Sequence, residues 1–122
     1  MMKVVGNGQP ANTRPVSNGI LVNGHLYTVQ TAADESGDVK DQTHQVLRQL
    51  ETTLKNCGGT LADVAQMTIC LINEEDAEPM DEVYREYFSE PYPNRATVVV
   101  KSLRGSNRLI EIVVNAYPGV MG

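Results

Sequence analysis

The sequence predicts one α+β domain with the element order β-β-α-β-α-β-β. Three observations predict it: short runs are rich in β-branched residues, two longer segments carry a helical apolar stripe, and turn signals separate these segments. Two helices suffice to cover one face of a single sheet. At 122 residues the chain fits a single domain spanning 1–122, whose polar first 14 residues we expect to be loosely held.

The amino-terminal half predicts a β-hairpin followed by a helix. Asn23-Gly24 lies between two β-prone runs, and this dipeptide readily adopts the positive φ angles of a tight hairpin turn. Beyond the polar segment 34–38, apolar residues recur at helical spacing as far as Leu54. Gly58 can then adopt the left-handed conformation that ends a helix. The predicted bounds are strands at 20–22 and 25–29 and a helix from 39 to about 56.

The carboxy-terminal half predicts a strand, a helix and two further strands. Asp76 is a candidate helix N-cap, and Pro79 is tolerated only in a first helical turn. The segment Pro91-Tyr92-Pro93 ends this helix, and the polar turn 104–107 joins the last two strands as a hairpin. The predicted bounds are a strand at 64–72, a helix at 76–88, and strands at 95–103 and 109–117.

The last predicted strand has two unlike faces. One row is apolar and suits packing against helices: Ile110, Ile112, Val114 and Ala116. The opposite row mixes polar and apolar residues: Leu109, Glu111, Val113 and Asn115. Because that row is too apolar for open water and too polar for a dry core, we expect it to meet another subunit across a partly wet interface.

Charge and hydropathy exclude several classes of protein. The net charge of −5 and the pI near 4.9 argue against a protein that coats nucleic acid, which needs a basic face to neutralise phosphates. No apolar stretch approaches the roughly 20 residues of a membrane helix. The first 11 residues contain Gly, Asn, Gln and Pro instead of an apolar run, so we expect no signal peptide and a cytoplasmic protein.

Cysteine and histidine offer little chemistry. Cys57 and Cys70 form no CxxC pair. Cys57 falls at a helix C-terminus, where the dipole disfavours a thiolate, and Cys70 is expected to be a small core residue. His25 and His44 are the only histidines and are not clustered, so no metal site is predicted. P-loop, GxSxG and HExxH motifs are also absent from the sequence.

Two charged residues are candidates for a site. Arg95 opens a strand directly after a stiff Pro-Tyr-Pro segment, where a guanidinium can bind a carboxylate through two parallel hydrogen bonds. Its alternative is a surface arginine in a weak ion pair. Glu111 lies inside an apolar strand, so its carboxylate is either on a solvated face or held in a cleft. The predicted hairpin places both residues on neighbouring strands, where they could face one cavity.

Several separated segments resemble the Rid (YjgF) family. The segment 91–98 (PYPNRATV) resembles the family signature, in which a proline and an arginine open a β-strand, and 109–112 (LIEI) resembles the glutamate-bearing last strand. The run 61–88 matches the family's strand-plus-helix pattern, and Cys57-Gly58-Gly59 matches the glycine-rich end of its first helix. The resemblance covers roughly residues 15–117, with the motifs in the family's order.

This resemblance implies a chorismate-mutase-like fold, assembled as a homotrimer with clefts between subunits. It implies hydrolysis of small 2-imino and enamine acids to 2-keto acids and ammonia, without a cofactor, because an imine carbon is already electrophilic. Carried over by position, Arg95 binds the substrate carboxylate and Glu111 orients or deprotonates the attacking water. The other pocket positions that it implies are Thr97, Val16, Val29, Gln30 and Asp81.

The chain departs from the family at several of these positions. Val16 stands where many members carry tyrosine, Val29-Gln30 lacks a frequent serine, Thr97 replaces a frequent cysteine, and Asp81 replaces an asparagine. The loop 31–37 is also shorter than usual. Two other functions therefore stay open. One is a non-catalytic trimer that binds a small carboxylate; the other is an endoribonuclease or translation inhibitor, which the acidic charge and the lack of a histidine pair disfavour.

Overall fold

The fold is a six-stranded mixed sheet with two helices packed on one face, seen in a computed structural model that describes residues 2–11 and 13–120. The strands are β1 (Met2–Val5), β2 (Gly19–Val22), β3 (His25–Thr31), β4 (Val64–Leu71), β5 (Asn94–Val99) and β6 (Ile110–Ala116). The helices are α1 (Val39–Lys55) and α2 (Ala77–Tyr87), with short 3-10 turns at Leu61–Asp63 and Glu74–Asp76. The strand order is β1-β2-β3-β6-β4-β5, and only the β4–β5 pair is parallel.

The α+β class is confirmed, and so are the seven predicted elements in their order, with one strand added at the start. Asn23 and Gly24 form the predicted turn, with φ angles of 49° and 80°. The prediction for the first residues was wrong at 2–5, because these residues pair antiparallel with β2. Beyond this strand the buried Asn7 side chain donates to Gln30 Oε1 at 2.9 Å, so the segment is tied to the interior.

The predicted hairpin between the last two strands was also wrong. The strand, helix and strand from 64 to 99 form a crossover unit, which places β5 parallel to β4 at the sheet edge. β6 pairs with the other side of β4, so β4 separates β5 from β6. The segment 100–109 is consequently a long connection across the end of β4 and not a tight turn.

A capping box and a glycine explain where α1 begins and ends. Asp38 caps α1 by accepting from the Asp41 amide, and the Asp41 side chain accepts from the Asp38 amide in return. Gly58, with φ of 77°, follows the helix end. In α1 the apolar stripe is buried against the sheet at Val39, Val46, Leu47, Leu50 and Leu54.

The two faces of the sheet differ as predicted. The helix-facing side is fully buried at Met67, Ile69, Ile112 and Val114. The other side, called the open face here, leaves large apolar side chains exposed at Tyr27, Val29, Val98 and Val113. Neither α1 nor α2, the helices of the described residues, is long and apolar enough to cross a membrane. Burial and exposure thus divide the sheet into a core side and a side suited to contact.

Candidate functional site

Arg95 lies near the start of β5 and is fixed by two residues of α2. Its Nη1 is 2.8 Å from Asp81 Oδ1, and its guanidinium carbon lies 4.5 Å from the centre of the Tyr84 ring. Asp81 and Tyr84 are one helical turn apart, so α2 presents both to the same strand. The Arg95 side chain is about a quarter exposed. An ion pair through one nitrogen leaves the other N–H donors of Arg95 available to an anion.

A pocket of about 280 Å³ surrounds this guanidinium and is called the Arg95 pocket here. Burial raises the pKa of Tyr84, which keeps the phenol neutral and able to donate. The buried Tyr84 hydroxyl lies close to Arg95 but has no hydrogen bond of good geometry among the described residues. The pocket therefore presents the remaining N–H donors of the Arg95 guanidinium, which suits a carboxylate. Its lining residues are Asp81, Tyr84, Arg85, Tyr92, Pro93 and Arg95.

Glu111 lies in a second and larger space, on the open face. This cavity of about 550 Å³, called the Glu111 cavity here, also has Val16 and Val29 in its wall. Glu111 pairs with Thr31 of β3 and Cys70 of β4, and its Oε1 is 4.0 Å from Arg108 Nη1. The cavity combines a carboxylate, arginines and an apolar wall. Its remaining lining residues are Arg14, Ser17, Asn18, Thr31, Ser102, Leu103, Arg104 and Arg108.

Arg108, which lines this cavity, is held by Glu35, a residue that sequence reasoning missed. Glu35 Oε2 accepts from Arg108 Nε at 2.7 Å, and Oε1 accepts from the amides of Ser106 and Asn107 at 3.1 and 3.3 Å. Burial alone would raise the pKa of Glu35, but these hydrogen bonds and the Arg108 charge outweigh it and lower that pKa below 4.5. Gln42 adds support by donating to Asn107 O at 2.8 Å. We call this arrangement the Glu35 clamp.

The residues predicted for one site fall into two places. Arg95 and Asp81 belong to the Arg95 pocket, whereas Val16, Val29 and Glu111 line the Glu111 cavity. In register, Arg95 is opposite the buried Met67, and Glu111 is opposite Cys70 on the open face. Within one chain, Arg95 and Glu111 therefore point to opposite faces of the sheet. The expectation that a hairpin would let both face one cavity does not hold within a single chain.

Two other predicted pocket positions lie apart from both spaces. Thr97 shares the Arg95 face of β5 and is exposed, but lines neither cavity. Gln30 is buried on the helix side, where its side chain donates to Thr28 and Thr53 and accepts from Asn7 and Gln49. With its hydrogen-bonding groups satisfied in the interior, Gln30 lines neither the Arg95 pocket nor the Glu111 cavity.

Cysteine and histidine take structural positions. Burial raises the pKa of the Cys57 and Cys70 thiols, which disfavours a reactive thiolate. Cys70 is half-buried on the open face, so the expectation that it is a core residue was wrong. His25 contacts Asn115 Oδ1 at 2.8 Å, and His44 contacts the Tyr87 hydroxyl at 2.8 Å. Over residues 2–11 and 13–120, no three His, Cys, Asp or Glu side chains are grouped to hold a metal ion.

Comparisons with known proteins extend over nearly the whole chain. The sequence model of the family described as "Endoribonuclease L-PSP" matches residues 7–118. A RutC family protein of Pyrococcus horikoshii is 44% identical over 66% of this chain and 64% of its own length. The human protein named 2-iminobutanoate/2-iminopropanoate deaminase is 30% identical over 90% of this chain and 85% of its own. The crystal structure of RidA from the Antarctic bacterium Psychrobacter sp. superposes with a TM-score of 0.86 at 28% identity, covering 94% and 98% of the two chains.

Proposed function

From the premise that this chain belongs to the endoribonuclease L-PSP family, which includes the Rid proteins, we propose that it is a hydrolytic deaminase. Its substrates are reactive 2-imino and enamine acids, and its products are 2-keto acids and ammonia. No cofactor takes part. The observation that carries the proposal is the Arg95 guanidinium, held by Asp81 at 2.8 Å and lining a pocket. The remaining N–H donors of such a guanidinium bind the carboxylate that every 2-imino acid carries.

In this proposal Glu111 is the general base that activates the attacking water. Its carboxylate accepts a proton from water while the oxygen attacks the imine carbon, and the imine nitrogen gains a proton. The hydroxyl proton of the resulting carbinolamine is then transferred to its amine, the keto C=O bond forms as the C–N bond breaks, and ammonia is released. An enamine first takes a proton on carbon and loses one from nitrogen, which makes it the imine. Arg95 contributes by fixing the carboxylate, so that the imine carbon is held against the water.

The reaction site is completed by a second copy of the chain. Arg95 and Glu111 lie on opposite faces of the sheet, so a substrate held by one guanidinium meets the glutamate of a neighbouring subunit. We therefore propose a homotrimer with inter-subunit clefts. The exposed apolar residues of the open face, among them Val29 and Val113, support it, because a contact over them removes apolar surface from water.

A coupled assay tests the proposal. A PLP-dependent dehydratase generates 2-aminoacrylate or 2-iminobutyrate in place, semicarbazide traps the free imine, and the protein competes by converting it to keto acid. We expect the wild-type protein to divert the imine and Arg95→Ala to lose the diversion. Arg48→Ala is the matched control, because Arg48 lies on α1 and lines neither cavity. A wild-type protein that leaves semicarbazone formation unchanged contradicts the deaminase.

The second candidate is a trimer that binds a small carboxylate without turning it over. It is favoured by the wall of the Glu111 cavity, where the exposed Val16 and Val29 present an apolar surface. The two candidates separate in one comparison: binding of 2-oxobutyrate by calorimetry together with no imine diversion supports the binding protein. Binding together with diversion supports the enzyme.

A further inference from the structure

The Glu111 cavity is lined by arginine side chains that the proposed deaminase does not use. Arg104 and Arg108 line it beside the carboxylate of Glu111, and Arg108 is also paired with Glu35. The deaminase reaction needs one guanidinium for the substrate carboxylate, and Arg95 already supplies it from the other face of the sheet. The side chains of Arg104 and Arg108 are therefore candidates for contact with a second anionic group.

Of these arginines, Arg108 has a side chain that is already held in place before any anion binds. Its side chain is only 13% exposed and is fixed through Nε, which donates to Glu35 Oε2 at 2.7 Å. Its Nη1 lies 4.0 Å from Glu111 Oε1, which is beyond hydrogen-bonding distance. Among the described residues the terminal nitrogens of Arg108 have no hydrogen-bond partner. They remain a planar fork of donors at the cavity, the geometry that matches a carboxylate.

The connection that carries Arg108 is held rigidly by the Glu35 clamp. Ser106 and Asn107 donate their amides to Glu35, and Leu109 donates its amide to Gln42 Oε1 at 3.0 Å. Gly105 completes this packing, because a Cβ there would lie 2.9 Å from both carboxylate oxygens of Glu35. A guanidinium on such a support loses little freedom when it binds an anion.

We propose that Arg108, with Arg104 at the rim of the same cavity, forms a subsite for a second carboxylate. The preferred substrates are then imino acids of four or five carbons with a carboxylate on the side chain. The inference rests on the proposed deaminase for the reaction itself, in which the bonds made and broken at the imine carbon are unchanged. The subsite assigns only the substrate class: Arg95 binds the α-carboxylate and Arg108 the distal one.

Binding of stable keto-acid products tests the subsite without turnover. Isothermal titration calorimetry of the intact protein compares 2-oxoglutarate, which carries two carboxylates, with 2-oxobutyrate, which carries one. We expect the wild-type protein to bind 2-oxoglutarate at least about 10-fold more tightly, because a charged bidentate contact is worth that much or more. Arg108→Met removes this preference while 2-oxobutyrate binding changes by less than about 3-fold.

Two controls separate recognition from folding. Lys101→Met makes the same change of charge on the same connection but does not line the cavity, so it keeps the preference. Glu35→Gln keeps Arg108 but weakens its support, and an intermediate preference is expected. A wild-type protein that binds both acids equally, or binds neither, overturns the subsite, and so does a preference that survives Arg108→Met.

The same data distinguish failure of the subsite from failure of the deaminase. A preference for 2-oxoglutarate without any imine diversion keeps the subsite and contradicts the enzyme. Imine diversion without that preference keeps the enzyme and contradicts the subsite.

Discussion

The Arg95 pocket and the Glu111 cavity differ in how the chain builds them. The lining of the pocket comes from residues 81–95, which α2 and the start of β5 bring together locally. The lining of the cavity comes from four separate stretches: 14–18, β3, 102–108 and β6. A local unit thus fixes the guanidinium, whereas long-range contacts place the carboxylate. The difference shows that an arginine and a glutamate from two separate motifs of the family lie on opposite faces of the sheet within one chain.

Each of the two sites contains an ion pair between an arginine and a carboxylate, and the two pairs differ in exposure. Asp81 pairs with an arginine whose side chain is 24% exposed, so water and salt weaken the pair. Glu35 pairs with Arg108, and both side chains are only 13% exposed. Removing one partner therefore leaves the other charge buried without a counter-ion. We therefore expect changes at Asp81 to act on ligand binding, and changes at Glu35 to lower stability as well as to weaken the support of Arg108.

The largest effect is expected from Glu111→Gln. The amide cannot accept the proton of the attacking water, so kcat for imine hydrolysis falls by about 10²–10⁴. Binding of 2-oxobutyrate stays within about 3-fold, because Arg95 still holds the carboxylate. Single-turnover kinetics and calorimetry measure the two quantities. Glu82→Gln on the exposed side of α2 is the matched control and retains activity. Loss of both binding and turnover would contradict the role of Glu111 as the base that accepts the proton of the water.

A smaller effect of opposite sign is expected from Asp81→Asn. The Asp81 carboxylate competes with the substrate carboxylate for Arg95 and repels it, whereas an amide oxygen still accepts a hydrogen bond from the guanidinium. Affinity for 2-oxobutyrate should rise by about 3- to 10-fold at low salt and by less at high salt. Calorimetry at two salt concentrations checks it. Weaker binding would show that Asp81 matters more for positioning Arg95 than for competing with the ligand.

The smallest effect is expected from Glu35→Gln and concerns acid stability. The folded-state pKa of Glu35 is lowered, so its ionised form stabilises the fold fully above pH 4.5, and this contribution is lost as pH falls through the lowered pKa. Near pH 6 the wild-type Tm should exceed that of the variant by about 3–5 °C. The gap should close toward pH 3 in thermal scans monitored by circular dichroism. A gap that is constant with pH would contradict the role given to the Glu35 charge.

The helices and most strands were predictable because their signals are local. Apolar spacing identified α1 and α2, and Asn23-Gly24 identified the turn between β2 and β3. The strand β1 was missed because four residues beside Gly6 carry too short a pattern, and β2 supplies its pairing partner. Alternation also held information that the site prediction did not use: Leu26, Thr28 and Gln30 share one face of β3, which is the buried one.

The placement of Arg95 and Glu111 depends on strand adjacency. The polar stretch 104–107 resembled a hairpin turn, but the strand-helix-strand unit before it required β5 to lie parallel to β4. That unit was visible in the predicted element order and could have corrected the adjacency. The Glu35 clamp could not be predicted in this way, because its partners are more than 70 residues apart and no local pattern couples them.

Mixing two inactive variants tests most directly whether the site is shared between chains. Arg95→Ala and Glu111→Gln chains, each inactive alone, are co-expressed in equal amounts under different affinity tags and the mixed trimers are isolated. In a head-to-tail ring, one of the three interfaces of every mixed trimer joins an intact Arg95 to an intact Glu111, which is about a third of the sites. The account predicts recovery of imine hydrolysis to about that fraction of the wild-type rate. No recovery in mixed trimers would contradict a site built from Arg95 of one chain and Glu111 of the next.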